Sequence, residues 1–533
     1  MNGPKEPSPA PLAPWERWAP LVLLLVAAGG VAVVLLGRPP LGVPGQHEYP
    51  YHPCPRWAGV VRLLVLAVPL AVLWGVGLVW GPALERRQEL VLALGLAAAS
   101  VLLHVGSATA SKEYPGAELS WPFLWQNTEG SYAHYVPPAR SAARFVSNYP
   151  HALDVSPQEG TPHYVRVHHP QVHPPGPVLL FAGLEGLYDA APWLERAVGA
   201  YLARALPSTA VLRQGEMGFA LRHPVVVSAT VAFGTVLVAG LAPLACYLAL
   251  RPVWPGRAAL GAAGLTALVP GTHLFNPSFD QAYPTLALLL CAAGTRAVST
   301  RRTAWGVAFG LGLYVLMFFH VGFALVVVVL GAGAALAWRA SGEGWRPGEA
   351  WRAYRGPAVG AVLGFLSLAF LLQVSLGYPT FRVIGLCLRN NRLFNEMVHR
   401  TYWPWVAVAP FEFALSLGFG LFAAAAVGWL GQVGGMVRGG WARCRAPLLV
   451  AAGGAMLALH VLGMNRGETA RLWLLLTPLL VAGTTRSVRG QARAPRRILL
   501  ALGAAQLLQV VLFRVGLDPG RTTDFFVTYL PTQ

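Results

Sequence analysis

The chain has 533 residues, 55% of them hydrophobic and 12% charged, about half the charged share of a typical soluble domain. That leaves too little polar surface for a water-soluble body of this length. The 40 Lys and Arg against 22 Asp and Glu give a net charge of +18, but they are spread over short loops rather than one patch, which argues against a nucleic-acid partner.

Apolar runs of about 20 residues recur along the chain, each long enough to cross a bilayer core. Backbone polar groups in hydrocarbon must be satisfied within their own segment, so the runs are predicted to be helices. The short alternating segments of a β-barrel are not seen. The fold class is therefore membrane α, a polytopic helical bundle. Residues 1–17 are proline-rich and form a tail. The run Trp18–Leu36 is too long for a signal-peptide core and no A-x-A site follows it, so it is read as a retained anchor. Further spans are expected at 59–80, 90–110, 224–250, 258–275, 281–297, 304–319, 321–338, 356–376, 406–430, 447–464, 472–485 and 498–515, about 13 in all.

Arginines fall in alternate connections: Arg86 and Arg87, Arg251 and Arg257, Arg296 to Arg302, Arg339 to Arg355, Arg438 to Arg445, and Arg486 to Arg497. The positive-inside rule then puts the N-terminus and these loops in the cytoplasm. The opposite face receives 37–58, 111–223, 377–405, 465–471 and the tail 516–533. The long 111–223 segment is a functional candidate by length alone. Within it, Gly176–Tyr188 and Ala190–Leu206 are predicted as short interfacial helices. Cys54 and Cys387 would share that face, which leaves a disulfide open. No pair of inverted halves with matched broken helices is visible, which weakens a carrier reading.

Four groups of polar residues on this face could carry chemistry. Glu129, in Asn127–Tyr135, is a carboxylate among aromatics that could take a proton from an attacking hydroxyl; Glu113, Glu118, Asp154 and Glu48 are alternatives. His163, His168, His169 and His173 precede Pro174 and Pro175, whose rings stiffen the entry to a helix near Gly176. Their spacing matches no standard zinc pattern, and a divalent metal stays open. Arg389 and Arg392 in one polar segment, and Arg466, Glu468 and Arg471 in another, break the positive-inside rule. Their planar guanidinium groups suit phosphate oxygens, while lipid headgroups or Glu396 and Glu468 are the plainer partners. Asp280, at a helix junction, reads either as an N-cap or as part of the same cleft.

These features resemble the GT-C superfamily of membrane glycosyltransferases, in particular the relatives of protein O-mannosyltransferases, aminoarabinose transferases and RgtA-type enzymes. Those carry a D-E-x-x-Y-A motif in a large outer loop and a Pro-Pro motif before the next membrane entry. Glu129, Tyr132 and Ala133 match the first; His173, Pro174, Pro175 and Gly176 match the second. Thr128 stands where the family has its first acid, and two spans precede the usual start, which makes Glu48 the second candidate base. The resemblance implies transfer of a sugar from a polyprenyl-phosphate donor to an acceptor on the extracytoplasmic face of a bacterial plasma membrane. Glu129 would be the base. Arg466 and Arg471, then Arg389 or Arg392, would steady the leaving phosphate, with Tyr132, His168, His169, His173, Asp280 and Glu468 lining the site. A transporter or lipid flippase is the competing expectation, and a non-catalytic scaffold the third.

Overall fold

The computed structural model describes residues 14–37, 39–44, 46–48, 57–110, 119–123, 129–154, 169–205, 221–275, 277–341, 347–463, 466–467, 469–491 and 495–517. Three long helices come first: α1 (Pro14–Gly37), α2 (Trp57–Trp80) and α3 (Arg86–Ala110). The large polar segment then contributes α4 (Ala142–Leu153), α5 (Gly176–Ala190) and α6 (Pro192–Ala205), the last two close to the expected interfacial helices. After them come α7 (Pro224–Gly240), α8 (Ala242–Leu250), α9 (Gly256–Thr266), α10 (Pro270–Leu274), α11 (Tyr283–Thr300) and α12 (Thr303–Met317). They are followed by α13 (Ala324–Ala340), α14 (Pro347–Leu376), α15 (Thr380–Met397), α16 (Tyr402–Leu417), α17 (Phe419–Gly439) and α18 (Pro447–Val461). A short α19 (Thr469–Leu472) continues through a 3-10 turn into α20 (Thr477–Gln491), and α21 (Pro495–Gly516) ends the described chain.

Among the described residues, seven helices are long and apolar enough to cross a membrane: α1, α2, α3, α13, α14, α17 and α21. The pair α7 and α8, bent by 41° at their junction, makes an eighth if taken as one span. This fits an integral, multi-pass membrane protein. The number falls below the 13 runs read from sequence because several runs are short or interrupted. Pro270 separates α9 from α10, and α12 and α18 are apolar but only 15 residues long. The expected span 406–430 is two helices, broken at Gly418 with φ +98°.

That break is satisfied from another helix. Gln506 of α21 donates to the Leu417 carbonyl at 2.7 Å, and Gln509 accepts from the Phe419 amide at 2.8 Å. Both glutamines are fully buried, so the broken backbone is repaired within protein, as an irregular segment at membrane depth requires.

Close helix pairing follows small residues. On α12, a Cβ at Gly306 or Gly310 would strike the carbonyls of Pro357 and Ala361 on α14. On α14, Gly360 and Gly364 meet the carbonyls of Thr303 and Val307 in return. Two small-x-x-x-small stripes thus let the backbones touch, which drives association in lipid where the hydrophobic effect cannot. The far side of α14 is apolar and open, with Phe370 69% and Val374 68% exposed, as lipid contact demands.

The polar segments pack on one another. Residues 377–405, read from sequence as a loop, are mostly the amphipathic α15. Its Asn390 side chain donates to the carbonyls of Leu153 at 2.8 Å and Gln171 at 2.9 Å. Tyr149 of α4 donates to the His173 carbonyl at 2.9 Å. After α1, a two-residue hairpin pairs β1 (Gly42–Val43) with β2 (His47–Glu48). Gln46 in its turn accepts from the Thr401 amide at 2.8 Å and the Trp405 indole at 3.0 Å. The α5–α6 hairpin is clasped to the start of α7, where Asp189 takes Arg222 at 2.8 Å and His223 at 3.0 Å. Cys387 is buried as a thiol, and Cys54 lies outside the described residues.

Candidate functional site

The Pro-Pro entry docks on a specific corner. The Gly176 amide donates to the Phe318 carbonyl at 3.0 Å, and a Cβ at this position would sit 2.5 Å from the same oxygen. Only glycine lets the start of α5 lie against the turn between α12 and α13. That turn presents His320, whose Nδ1 accepts from the Gly322 amide at 3.0 Å. The His173 ring comes to 5.2 Å from His320, the Tyr283 ring to 5.1 Å from His320, and the buried Tyr132 ring to 5.8 Å from His173.

Tyr132 also meets Phe279 edge-on at 5.9 Å, at the start of a 3-10 turn Phe279–Gln281. Ser278, not Asp280, is the N-cap of this turn, and its amide donates to the Gln281 side-chain oxygen at 3.1 Å. Asp280 instead pairs with Arg471 of α19, Oδ2 to Nε 3.1 Å, with side chains only 11% and 18% exposed. Arg471 also acts on His320. Burial first, and the nearby guanidinium second, push the His320 pKa down to about 4, so the ring is neutral at pH 7.

Four stretches remote in sequence therefore meet: Tyr132 and His173 from the large polar segment, Asp280 and Tyr283 at the start of α11, His320 before α13, and Arg471. The site offers one carboxylate, one guanidinium, the neutral His320 imidazole and the His173 ring among aromatic side chains. A shallow, half-open hollow with room for little more than a water molecule adjoins it between Pro174, Tyr314, Phe318, Phe365 and Tyr378.

The other sequence candidates have different settings. Arg389 pairs with Asp154 at 3.3 Å, and Arg392 with Glu396 at 3.1 Å while 84% exposed. Arg466 and Arg400 hold each other's backbone: Arg400 donates to the Arg466 carbonyl at 2.6 Å and Arg466 to the Arg400 carbonyl at 3.1 Å. Glu129 opens the 3-10 segment Glu129–Tyr135 and Glu48 ends β2, but their side chains, and that of His169, lie outside the described residues. Glu113, Glu118, His163, His168 and Glu468 lie outside them altogether. Among the described residues, no three of His, Cys, Asp or Glu gather as metal ligands would.

Sequence reading missed His320, a lone polar residue in the tight connection between two apolar runs. A second buried group centres on Arg514 and His104, ionisable residues that the sequence sets within otherwise apolar spans. Arg514 is fully buried and donates to the carbonyls of Ser107 at 2.6 Å, Leu274 at 3.2 Å and Ala108 at 3.5 Å. Beside it, the rings of His104 and His273 stack at 4.0 Å. His104 contacts the Thr272 hydroxyl at 3.3 Å, and the Thr272 carbonyl accepts from Gln281, next to Asp280. No protein-family model matches the chain, and no curated protein matches it.

Proposed function

We propose that this protein is a GT-C-type glycosyltransferase with about 13 membrane segments and a cytoplasmic N-terminus, moving a sugar from a polyprenyl-phosphate donor to an acceptor on the extracytoplasmic face. The meeting of Tyr132 and His173, from the two motif segments, with the Asp280–Arg471 pair is the observation that carries this reading.

In this reading the acceptor hydroxyl attacks the anomeric carbon as Glu129 takes its proton, with Glu48 the second candidate base. The bond from sugar to phosphate breaks, and its electron pair leaves on the lipid phosphate. Arg471 stabilises that charge by exchanging Asp280 for the phosphate, a step suited to a bidentate guanidinium in a nearly dry setting. Tyr132 and Tyr283, both buried, hold the His173 and His320 rings in place at the site. The test is turnover of a polyprenyl-phosphate sugar by the reconstituted protein. Glu129→Gln should abolish product while the protein still purifies as a single species; undiminished turnover rejects Glu129 as base.

A carrier is the second reading, favoured by Arg514, His104 and His273, ionisable groups in the membrane body where transport pathways place them. Vesicles separate the two: a carrier moves labelled lipid across the bilayer with no covalent product, whereas a transferase yields product without net movement.

A further inference from the structure

The opposite end of the bundle carries a different charge arrangement. Arg257 is the second residue of α9, Arg486 and Arg489 lie in the last turns of α20, and Arg496 is the second residue of α21. The three helices pack on one another, so these guanidinium groups share one end. Arg445 joins them through its hydrogen bond to the Gly490 carbonyl at 3.2 Å. Arg257, Arg489 and Arg496 are half-buried and Arg486 is exposed. Among the described residues none of these four is ion-paired or hydrogen-bonded, and the Arg257 Nε is buried without a partner.

The positive-inside rule explains how many arginines face one side; it does not explain why they crowd and lose water. Crowding is unfavourable here on two grounds. Arg257 and Arg496 sit at helix N-termini, which already carry partial positive charge. The groups also oppose each other's charge. Burial first and Arg496 second lower the proton affinity of Arg257, while burial, then Arg257, then Arg486 lower that of Arg489.

We infer that this end holds a phosphate-binding site, filled by the headgroup phosphate of an acidic phospholipid. Depth and surroundings favour a lipid source over free phosphate. Arg471 and Arg489 lie at the two ends of one helical stretch, roughly 27 Å apart at 1.5 Å per residue. That is close to the thickness of a bilayer core, about 30 Å. If Asp280 and Arg471 mark one membrane surface, the arginines lie at headgroup level on the other. Trp80, Val253 and Leu500, exposed by 59%, 47% and 43%, flank the patch with apolar surface for acyl chains, and Arg257 packs on Gly81 beside that tryptophan. The inference is independent of any glycosyl-transfer activity.

The full chain in neutral detergent provides the test, read as the shift in thermal midpoint on adding phosphatidylglycerol, phosphatidylcholine or inorganic phosphate. Phosphatidylglycerol should raise the midpoint by several degrees, and phosphatidylcholine should not. R489Q/R496Q should lose most of that shift, while R352Q/R355Q, on the separate α14, keeps it. Without added anion, R489Q/R496Q should be at least as stable as wild type because like charges have been removed. If that double variant does not purify, the exposed R486Q should show a smaller version of the same loss. An equal shift from millimolar inorganic phosphate, lost in R489Q/R496Q, would overturn the lipid as the source. Identical responses of wild type and every arginine variant would overturn the site.

Discussion

Arg471 and Arg514 are both withdrawn from water, yet they are held in opposite ways. Arg471 meets a carboxylate and stands near a neutral histidine. Arg514 is enclosed by backbone carbonyls at the C-terminal ends of α3 and α10. A carboxylate partner can be displaced by another anion, whereas carbonyls fixed by two helix ends cannot be exchanged. On the proposed function, the first arginine is suited to binding an anion, while the second serves architecture. A third setting, the unpaired arginines at the far end, shows a cation left for an external anion.

Substitution at Arg514 should cost the most. Arg514→Ala would strand buried carbonyls and open the core between α3, α10 and α21, a loss of about 3 kcal/mol or more. The expected outcome is little monodisperse protein after extraction, with Arg514→Lys recovering part of it. A variant of wild-type stability would mean that Arg514 is not structural.

Next is the Asp280–Arg471 pair. Asp280→Asn should lower the thermal midpoint yet tighten binding of a polyprenyl phosphate, because the competing carboxylate is gone; Arg471→Gln should weaken that binding. A double-mutant cycle on stability should return a coupling of about 1–3 kcal/mol. Unchanged donor affinity in both variants would remove Arg471 from the binding site.

His320 sharpens the contrast through pH. Its folded pKa is lowered to about 4 from an ordinary 6.5, so between those values the unfolded chain binds the proton more readily. This contribution to stability is fully present above about pH 6.5 and declines as pH falls towards 4. The midpoint of His320→Gln should therefore fall less steeply over that window than wild type; parallel curves would show that His320 is not held neutral. The smallest effect is expected at Arg392, whose pairing with Glu396 is exposed to solvent. Arg392→Ala should leave stability and donor binding within measurement error.

Legibility in the sequence varied with the range of the interaction. The stiff Pro174–Pro175 entry to α5 was readable because proline acts on its own backbone. The Ser278–Gln281 cap is equally local, yet the sequence offers Asp280 as a rival for the cap position. Residues 377–405 look like a loop in sequence because Arg389 and Arg392 mask a periodicity that buries Thr380, Val383, Cys387 and Asn390 on one face. The glycine stripes of α12 and α14 were visible as spacing, but their mutual contact was not.

Composition and the recurrence of apolar runs alone determined that this chain is helical and embedded in lipid, because each helix closes its own backbone hydrogen bonds wherever it sits. Tertiary structure decided which side chains from separate helices neutralise one another. Only there does Asp280 reach Arg471, Gln506 and Gln509 close the break at Gly418, and Arg257 stand beside Arg489 and Arg496. Such partnerships depend on where helix ends come to rest in space, a property that no local pattern of residues encodes.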